Sequence, residues 1–187
     1  MKDLNQLLLK FDLKQNYKNE DFYVNKCNFF AFNLIESWPK WEKKILNICG
    51  EKYSGKSHLS NIFKKKFNAL KLNAHDLNNS HLKEFKVYEN IILDDFTENI
   101  DENLMYTLFN IADQDNKFIL INSLKPINSM KFNLDDFSSR TKNCLLAQIE
   151  NPDDELIFAI LLKNFSDRQI TIEKKLIDFI IKHIDRS

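Results

Sequence analysis

Gly50 and Gly55 are the only glycines in a chain of 187 residues, and both fall in Gly50-Glu51-Lys52-Tyr53-Ser54-Gly55-Lys56-Ser57, the spacing G-x-x-x-x-G-K-[ST]. That spacing suits the holding of a polyphosphate. Glycine lets the backbone turn tightly and approach a ligand, and the amide N–H groups of such a loop, Ser54 among them, converge on an anion. Lys56 supplies a cation for the β- and γ-phosphates and Ser57 a hydroxyl for Mg²⁺, so the expected ligand is ADP or ATP with Mg²⁺. The metal must also be held from a neighbouring strand. Ile91-Ile92-Leu93-Asp94-Asp95 is an apolar run ending in two acids, with Asp94 as the expected Mg²⁺ partner and Asp95 placed to orient a water. Asn122 closes another apolar run and is expected to position water or contact the γ-phosphate; read by itself it is a strand-end turn residue.

These residues need strands and helices to place them. Lys44-Ile45-Leu46-Asn47-Ile48-Cys49 reads as a buried strand, and the segment from His58 through Leu59, Ile62 and Phe63 as an amphipathic helix. The strand–loop–helix order aims a positive helix end at the phosphates. Further strands are expected at Ala69–Leu72, Val87–Asp95 and Phe118–Ser123. Helices are expected from Asn28 to Ser37 and from Asp101 to about Asp113, with Asn28 and Asp101 as caps, and Asn78–Glu84 as a short helix or loop. Alternating strands and helices predict a mainly parallel sheet covered on both faces, a three-layer αβα sandwich. After Pro152 two helices, Asp153–Asn164 and Thr171–Ile184, follow with no strand, which suggests a small helical lid. The expected division is a flexible tail over 1–15, a nucleotide-binding domain over 16–150 and a partial lid over 151–187.

Composition narrows the function. The net charge is zero at a pI near 6.9, so the chain lacks the positive field of a non-specific nucleic-acid binder, and direct DNA binding is not expected. Lys64-Lys65-Lys66 reads as the solvated face of a helix. Cys27, Cys49 and Cys144 have no zinc-like spacing and read as buried thiols. No apolar run is long enough to span a membrane, and the start of the chain has no signal-peptide pattern, so a cytoplasmic location without a membrane partner is expected.

Ile48 to Leu59, then Leu93-Asp94-Asp95-Phe96, then Phe137-Ser138-Ser139-Arg140 resemble the Walker A, Walker B and arginine-finger segments of DnaA-family AAA+ proteins, and His58-Leu59 after the Walker A serine is typical of that family. The resemblance is closer to the short Hda-like members that switch off replication initiation. It runs through Asp21-Phe22-Tyr23-Val24, where the family packs the nucleotide base, through Trp38-Pro39-Lys40-Trp41, and on to Ile184-Asp185-Arg186. It implies an AAA+ fold, base and phosphate contacts from Phe22, Val24 and His58, and a sensor-2 role for Arg186. Arg140 would be a finger supplied in trans, with DnaA as partner and self-association as a further arrangement. Gln6-Leu7-Leu8-Leu9-Lys10-Phe11 fits the Q-x-x-L-x-F motif with which such proteins bind the DNA polymerase III sliding clamp, through Gln6, Leu9 and Phe11.

Read without the resemblance, the Gln6–Phe11 stretch is equally a plug for the chain's own core, and Arg140 equally a surface residue paired with Asp135 or Asp136. A helicase-loader-like adaptor and a small P-loop metabolite kinase are the competing readings; the kinase would carry an arginine-rich lid, which the sequence lacks. Two departures stand out. Glu51-Lys52-Tyr53-Ser54 is bulky and charged where the family uses small residues, and the chain stops at Ser187 where the family's lid continues. Asp95 stands where many AAA+ enzymes have the longer Glu, so slow intrinsic hydrolysis is expected.

Overall fold

The computed structural model describes residues 22–183. Helix α1 (Phe29–Ser37) leads into β1 (Ile45–Cys49), followed by α2 (Lys56–Phe67), β2 (Ala69–Asn73), α3 (Asn79–Phe85), β3 (Asn90–Phe96), α4 (Glu102–Gln114), β4 (Phe118–Ser123), α5 (Asp135–Thr141) and β5 (Leu145–Gln148). The strands form one sheet in the order β2-β3-β4-β1-β5, and every pairing is parallel. Helices α6 (Asp154–Asp167) and α7 (Lys174–His183) follow the last strand.

The three layers follow from strand periodicity. Successive side chains point to opposite faces of a sheet. Ile45, Ile91, Leu93, Ile119 and Ile121 accordingly pack on one side with Phe85, Met105, Leu108, Phe109 and Phe137 from α3, α4 and α5. Leu46, Ile48, Ile92 and Leu120 pack on the other side with Ala31 and Ile35 of α1 and Leu59, Ile62 and Phe63 of α2. Burial on both faces explains why these strands read as unbroken apolar runs.

Trp38 and Trp41 belong to this second layer, their rings 6.1 and 5.5 Å from that of Phe63. Burying such aromatic surface is worth roughly 1.5–3 kcal/mol per side chain. The pair α6 and α7, where the pattern change after Pro152 predicted two helices, has its own small core of Ile157, Ile177 and Ile181.

Local chemistry sets the boundaries. Asp101 Oδ1 accepts from Leu104 N–H at 3.0 Å and caps α4, and Asp153 Oδ1 accepts from Leu156 N–H at 2.9 Å and caps α6. Asn28 precedes α1 without a side-chain cap bond. Its amide is spent instead on Asn25 N–H and the Tyr23 carbonyl. The strand expected from Val87 begins at Asn90, because Lys86 and Val87 close a turn on the carbonyls of Lys83 and Glu84. Strand β5 carries only four residues and was not expected from the sequence.

Candidate functional site

Strand β1, held between β4 and β5, ends at Cys49, and the loop from Gly50 to Gly55 delivers the chain to the first turn of α2. In parallel sheets ligands bind beyond the carboxyl ends of the strands, where neighbouring crossovers diverge. Both glycines are required sterically. A Cβ on Gly50 would lie 2.7 Å from the Ile149 carbonyl oxygen, and Gly55 has φ +97°, with a Cβ position 3.2 Å from the Phe22 ring.

Lys56 folds back over the loop. Its ammonium donates to the carbonyls of Gly50 at 2.8 Å and Glu51 at 2.6 Å, and it lies 3.4 Å from Ser54 Oγ. Burial pulls the Lys56 pKa down, opposed by the charges of Asp94 and Asp95. Ser57 Oγ is 3.4 Å from Asp94 Oδ1, so the hydroxyl of α2 and the carboxylate of β3 face each other across the loop.

Asp94 is the most connected group here. Oδ1 also accepts from the Asn122 amide at 3.0 Å, and Oδ2 is 2.9 Å from the Lys71 ammonium. Burial alone would raise its pKa, but the Asn122 amide, Lys71 and the Asp95 N–H together outweigh it and hold the carboxyl below its ordinary range. Asp95 takes the left-handed region, φ +52°, where the β3–β4 register shifts, and its Oδ2 accepts from the Asn73 amide at 3.2 Å. The bulge turns Asp95 out of the ladder beside Asp94.

These residues line one cavity of about 570 Å³, to which Ser54, Gly55, Lys56, Ser57, His58, Asp94, Asp95 and Asn122 all contribute. Phe22 flanks it, its ring 5.3 Å from that of His58 and edge-on to it. Val24 is 42% exposed near the start of the described residues. A hydroxyl and one carboxylate oxygen form an oxygen donor pair that suits Mg²⁺, which keeps several waters and draws its remaining ligands from phosphate. Among the described residues no cluster of three His, Cys, Asp or Glu side chains could hold a metal ion.

Arg140 lies elsewhere. Its guanidinium donates to Asp113 Oδ2 at 2.5 Å and sits 5.3 Å from the centre of the Tyr106 ring. It therefore pairs with Asp113 of α4, not with Asp135 or Asp136. It lines a recess with Lys44 and Ile45, at the start of β1 and hence the far end of that strand from the loop. Gln6, Leu9, Phe11 and Arg186 lie outside the described residues.

Sequence reasoning missed four contributors. Lys71 and Asn73 on β2 contact the two aspartates, Asn61 on α2 accepts from the Lys71 ammonium at 3.0 Å, and Ser60 Oγ lies 2.6 Å from the Asn122 amide. The available signal was a lysine inside the otherwise apolar Ala69-Leu70-Lys71-Leu72, since a charge withdrawn from solvent needs a partner.

No protein-family model matches the chain. It is 25% identical over 193 residues to the chromosomal replication initiator protein DnaA of Helicobacter hepaticus, an alignment that takes in 90% of this chain and 42% of that protein. Among solved structures it superimposes on AMPPCP-bound DnaA from Aquifex aeolicus with a TM-score of 0.77 at 20% identity, covering 94% of this chain and 63% of the other. It also superimposes on domain III of DnaA from Thermotoga maritima with a TM-score of 0.75 at 20% identity, covering 90% and 81%. The fold is thus the three-layer sandwich of the DnaA AAA+ domain, and the chain spans about two fifths of the length of the curated relative it matches.

Proposed function

We propose that this chain is a nucleotide-binding regulator of replication initiation, of the Hda-like kind, which binds ADP or ATP with Mg²⁺. The observation that carries the nucleotide reading is the convergence of Lys56, Ser57, Asp94 and Asn122 from α2, β3 and β4 on one cavity beside the glycine loop. The loop amides and the α2 N-terminus would receive the phosphates, Ser57 and Asp94 the metal, and Phe22 with His58 the flank of the base. Bound Mg²⁺ would neutralise phosphate charge. The chain's own residues orient the polyphosphate through Lys56 and set the position of Asp94 through Asn122.

The regulatory half rests on Arg140. Within its own subunit the guanidinium lies beside Lys44 and Ile45, at the opposite end of β1 from the phosphate loop, a strand of five residues that runs roughly 16 Å at ~3.3 Å per residue, so it is not placed to serve that loop. A surface arginine held on Asp113 and Tyr106 is available to a neighbour's nucleotide, where such a finger is worth about 10³–10⁵ in rate. We assign the clamp contact to Gln6, Leu9 and Phe11 and the finger to Arg140, with DnaA-bound ATP as its target. Tethering at the clamp would raise the local concentration of the finger.

Calorimetry with ADP and ATP tests the first half. Lys56→Ala should weaken binding by about 10–100-fold, the loss of one or two charge-assisted hydrogen bonds; equal affinity for wild type and variant would remove the nucleotide reading. For the second half, a clamp pull-down is followed by a DnaA-ATP hydrolysis assay. Leu9→Ala with Phe11→Ala should abolish clamp binding and spare nucleotide binding, and Arg140→Ala should bind clamp and lose the stimulation. Retention of helicase in place of clamp would favour the loader-like adaptor.

A further inference from the structure

Lys71 is a charged side chain set behind this site, on the edge strand of the sheet. It stands on β2, between Leu70 and Leu72 that pack into the core, and its side chain is only 18% exposed. A buried ammonium needs both charge compensation and hydrogen-bond acceptors. Lys71 has them: Asp94 Oδ2 at 2.9 Å and Asn61 Oδ1 at 3.0 Å. Asp94, 19% exposed, is thereby engaged on both oxygens, with Lys71 on Oδ2 and with Asn122 and Ser57 on Oδ1.

That arrangement changes what Asp94 can offer. A Mg²⁺ ion gives up water reluctantly and is drawn to a carboxylate by full negative charge. Here the carboxylate already carries an ammonium in direct contact, in a setting where charges are poorly screened by solvent. The same ammonium places a second positive charge beside the cavity that Lys56 lines, so part of the phosphate charge is compensated by the protein. We infer that Lys71 is a built-in counter-ion for Asp94, and that it makes nucleotide binding at this site only weakly dependent on a divalent cation.

The inference rests on the nucleotide reading above, and its test separates the two. ADP affinity is measured by calorimetry in excess Mg²⁺ and in excess EDTA, for wild type and Lys71→Met, with Lys71→Gln as the replacement if circular dichroism shows that the methionine variant does not fold. Wild type is expected to bind ADP with affinities within about fivefold in the two buffers, a small change on the affinity scale. Without the counter-ion, Asp94 repels phosphate unless metal is present, so the variant's affinity should fall more than about fivefold on passing from Mg²⁺ to EDTA. Mn²⁺ paramagnetic resonance with ADP present should show correspondingly tighter Mn²⁺ binding by the variant. A wild type that loses more than fivefold in EDTA, or a variant whose ratio equals that of wild type, overturns the counter-ion role and leaves the nucleotide reading standing. A wild type that binds ADP in neither buffer overturns the nucleotide reading itself.

Discussion

The side-chain amide of Asn122 donates to Asp94 Oδ1 at 3.0 Å, linking the end of β4 to the acid on β3. The same amide lies 2.6 Å from Ser60 Oγ on α2, so one buried side chain sets the spacing of three elements that frame the cavity. Asn122→Ala should destabilise the fold by about 1–3 kcal/mol, since it leaves buried polar groups short of a partner. The loss should depend on pH. Asp94 has a folded-state pKa below its ordinary value, so its favourable contribution is fully present above the unfolded-state value near pH 4 and disappears as pH falls through the folded-state value. Urea unfolding at neutral pH and at about pH 3 should show the gap between wild type and variant narrowing in acid; an unchanged gap would refute the coupling.

Tyr53 occupies the left-handed region at φ +64° and is 96% exposed. Holding a non-glycine residue there costs about 1–2 kcal/mol, and its ring returns almost no burial. Glycine removes the strain and gives back roughly 0.5–1 kcal/mol in unfolded-state entropy. Tyr53→Gly should therefore raise stability by up to about 1 kcal/mol, read as a higher urea midpoint, whereas Tyr53→Ala should not. A lower midpoint for the glycine variant would show that the ring contributes something the contacts do not reveal.

Asn47 is fully buried in β1 and bonds the Ile121 carbonyl at 3.1 Å, Ser123 Oγ at 2.9 Å and the Ile127 N–H at 2.9 Å. It anchors the chain where it leaves β4, next to the cavity wall formed by Asn122 and Ser123. Asn47→Leu keeps the branched heavy-atom shape and strands the Ile127 N–H without an acceptor, for an expected loss of about 1–3 kcal/mol. Thermal melting checks it. A variant as stable as wild type would mean that the segment after β4 finds other partners.

The thiol of Cys144 is pushed up to about 12 by burial, with the charge of Asp113 adding to the effect. The reactive form of cysteine is the thiolate, so at pH ~8 Cys144 should resist iodoacetamide in the native protein and react once the chain is unfolded in urea. Mass spectrometry of the labelled peptides distinguishes the cases. Rapid native labelling at Cys144, which is only partly buried, with its Sγ 3.7 Å from the Arg140 carbonyl of α5, would contradict the raised thiol.

Much of the site was legible because its residue types are constrained by chemistry. Two glycines at fixed spacing, a lysine and a serine after them, and an apolar run ending in acid leave few interpretations, and the strands around them read clearly because a parallel sheet buries both faces. Asp101 and Asp153 could be read as helix starts because capping is a local hydrogen bond.

What the tertiary structure decided concerns partners distant in sequence. Lys71 meets Asp94 and Asn73 meets Asp95 only because β2 and β3 pair in register, with Leu72 opposite Leu93 and Asn73 opposite Asp94. Arg140 could have paired locally with Asp135 or Asp136, yet the packing of α5 beside α4 gives it Asp113. Strand β5 escaped notice because four residues carry too little periodicity to separate strand from loop, and its place follows from pairing with Leu46 to Cys49. The sequence by itself determined the glycine loop between strand and helix, the acidic strand end and the layered class, because each is written in local residue types. The tertiary structure alone decided which charges neutralise one another, because that depends on strand register and helix packing.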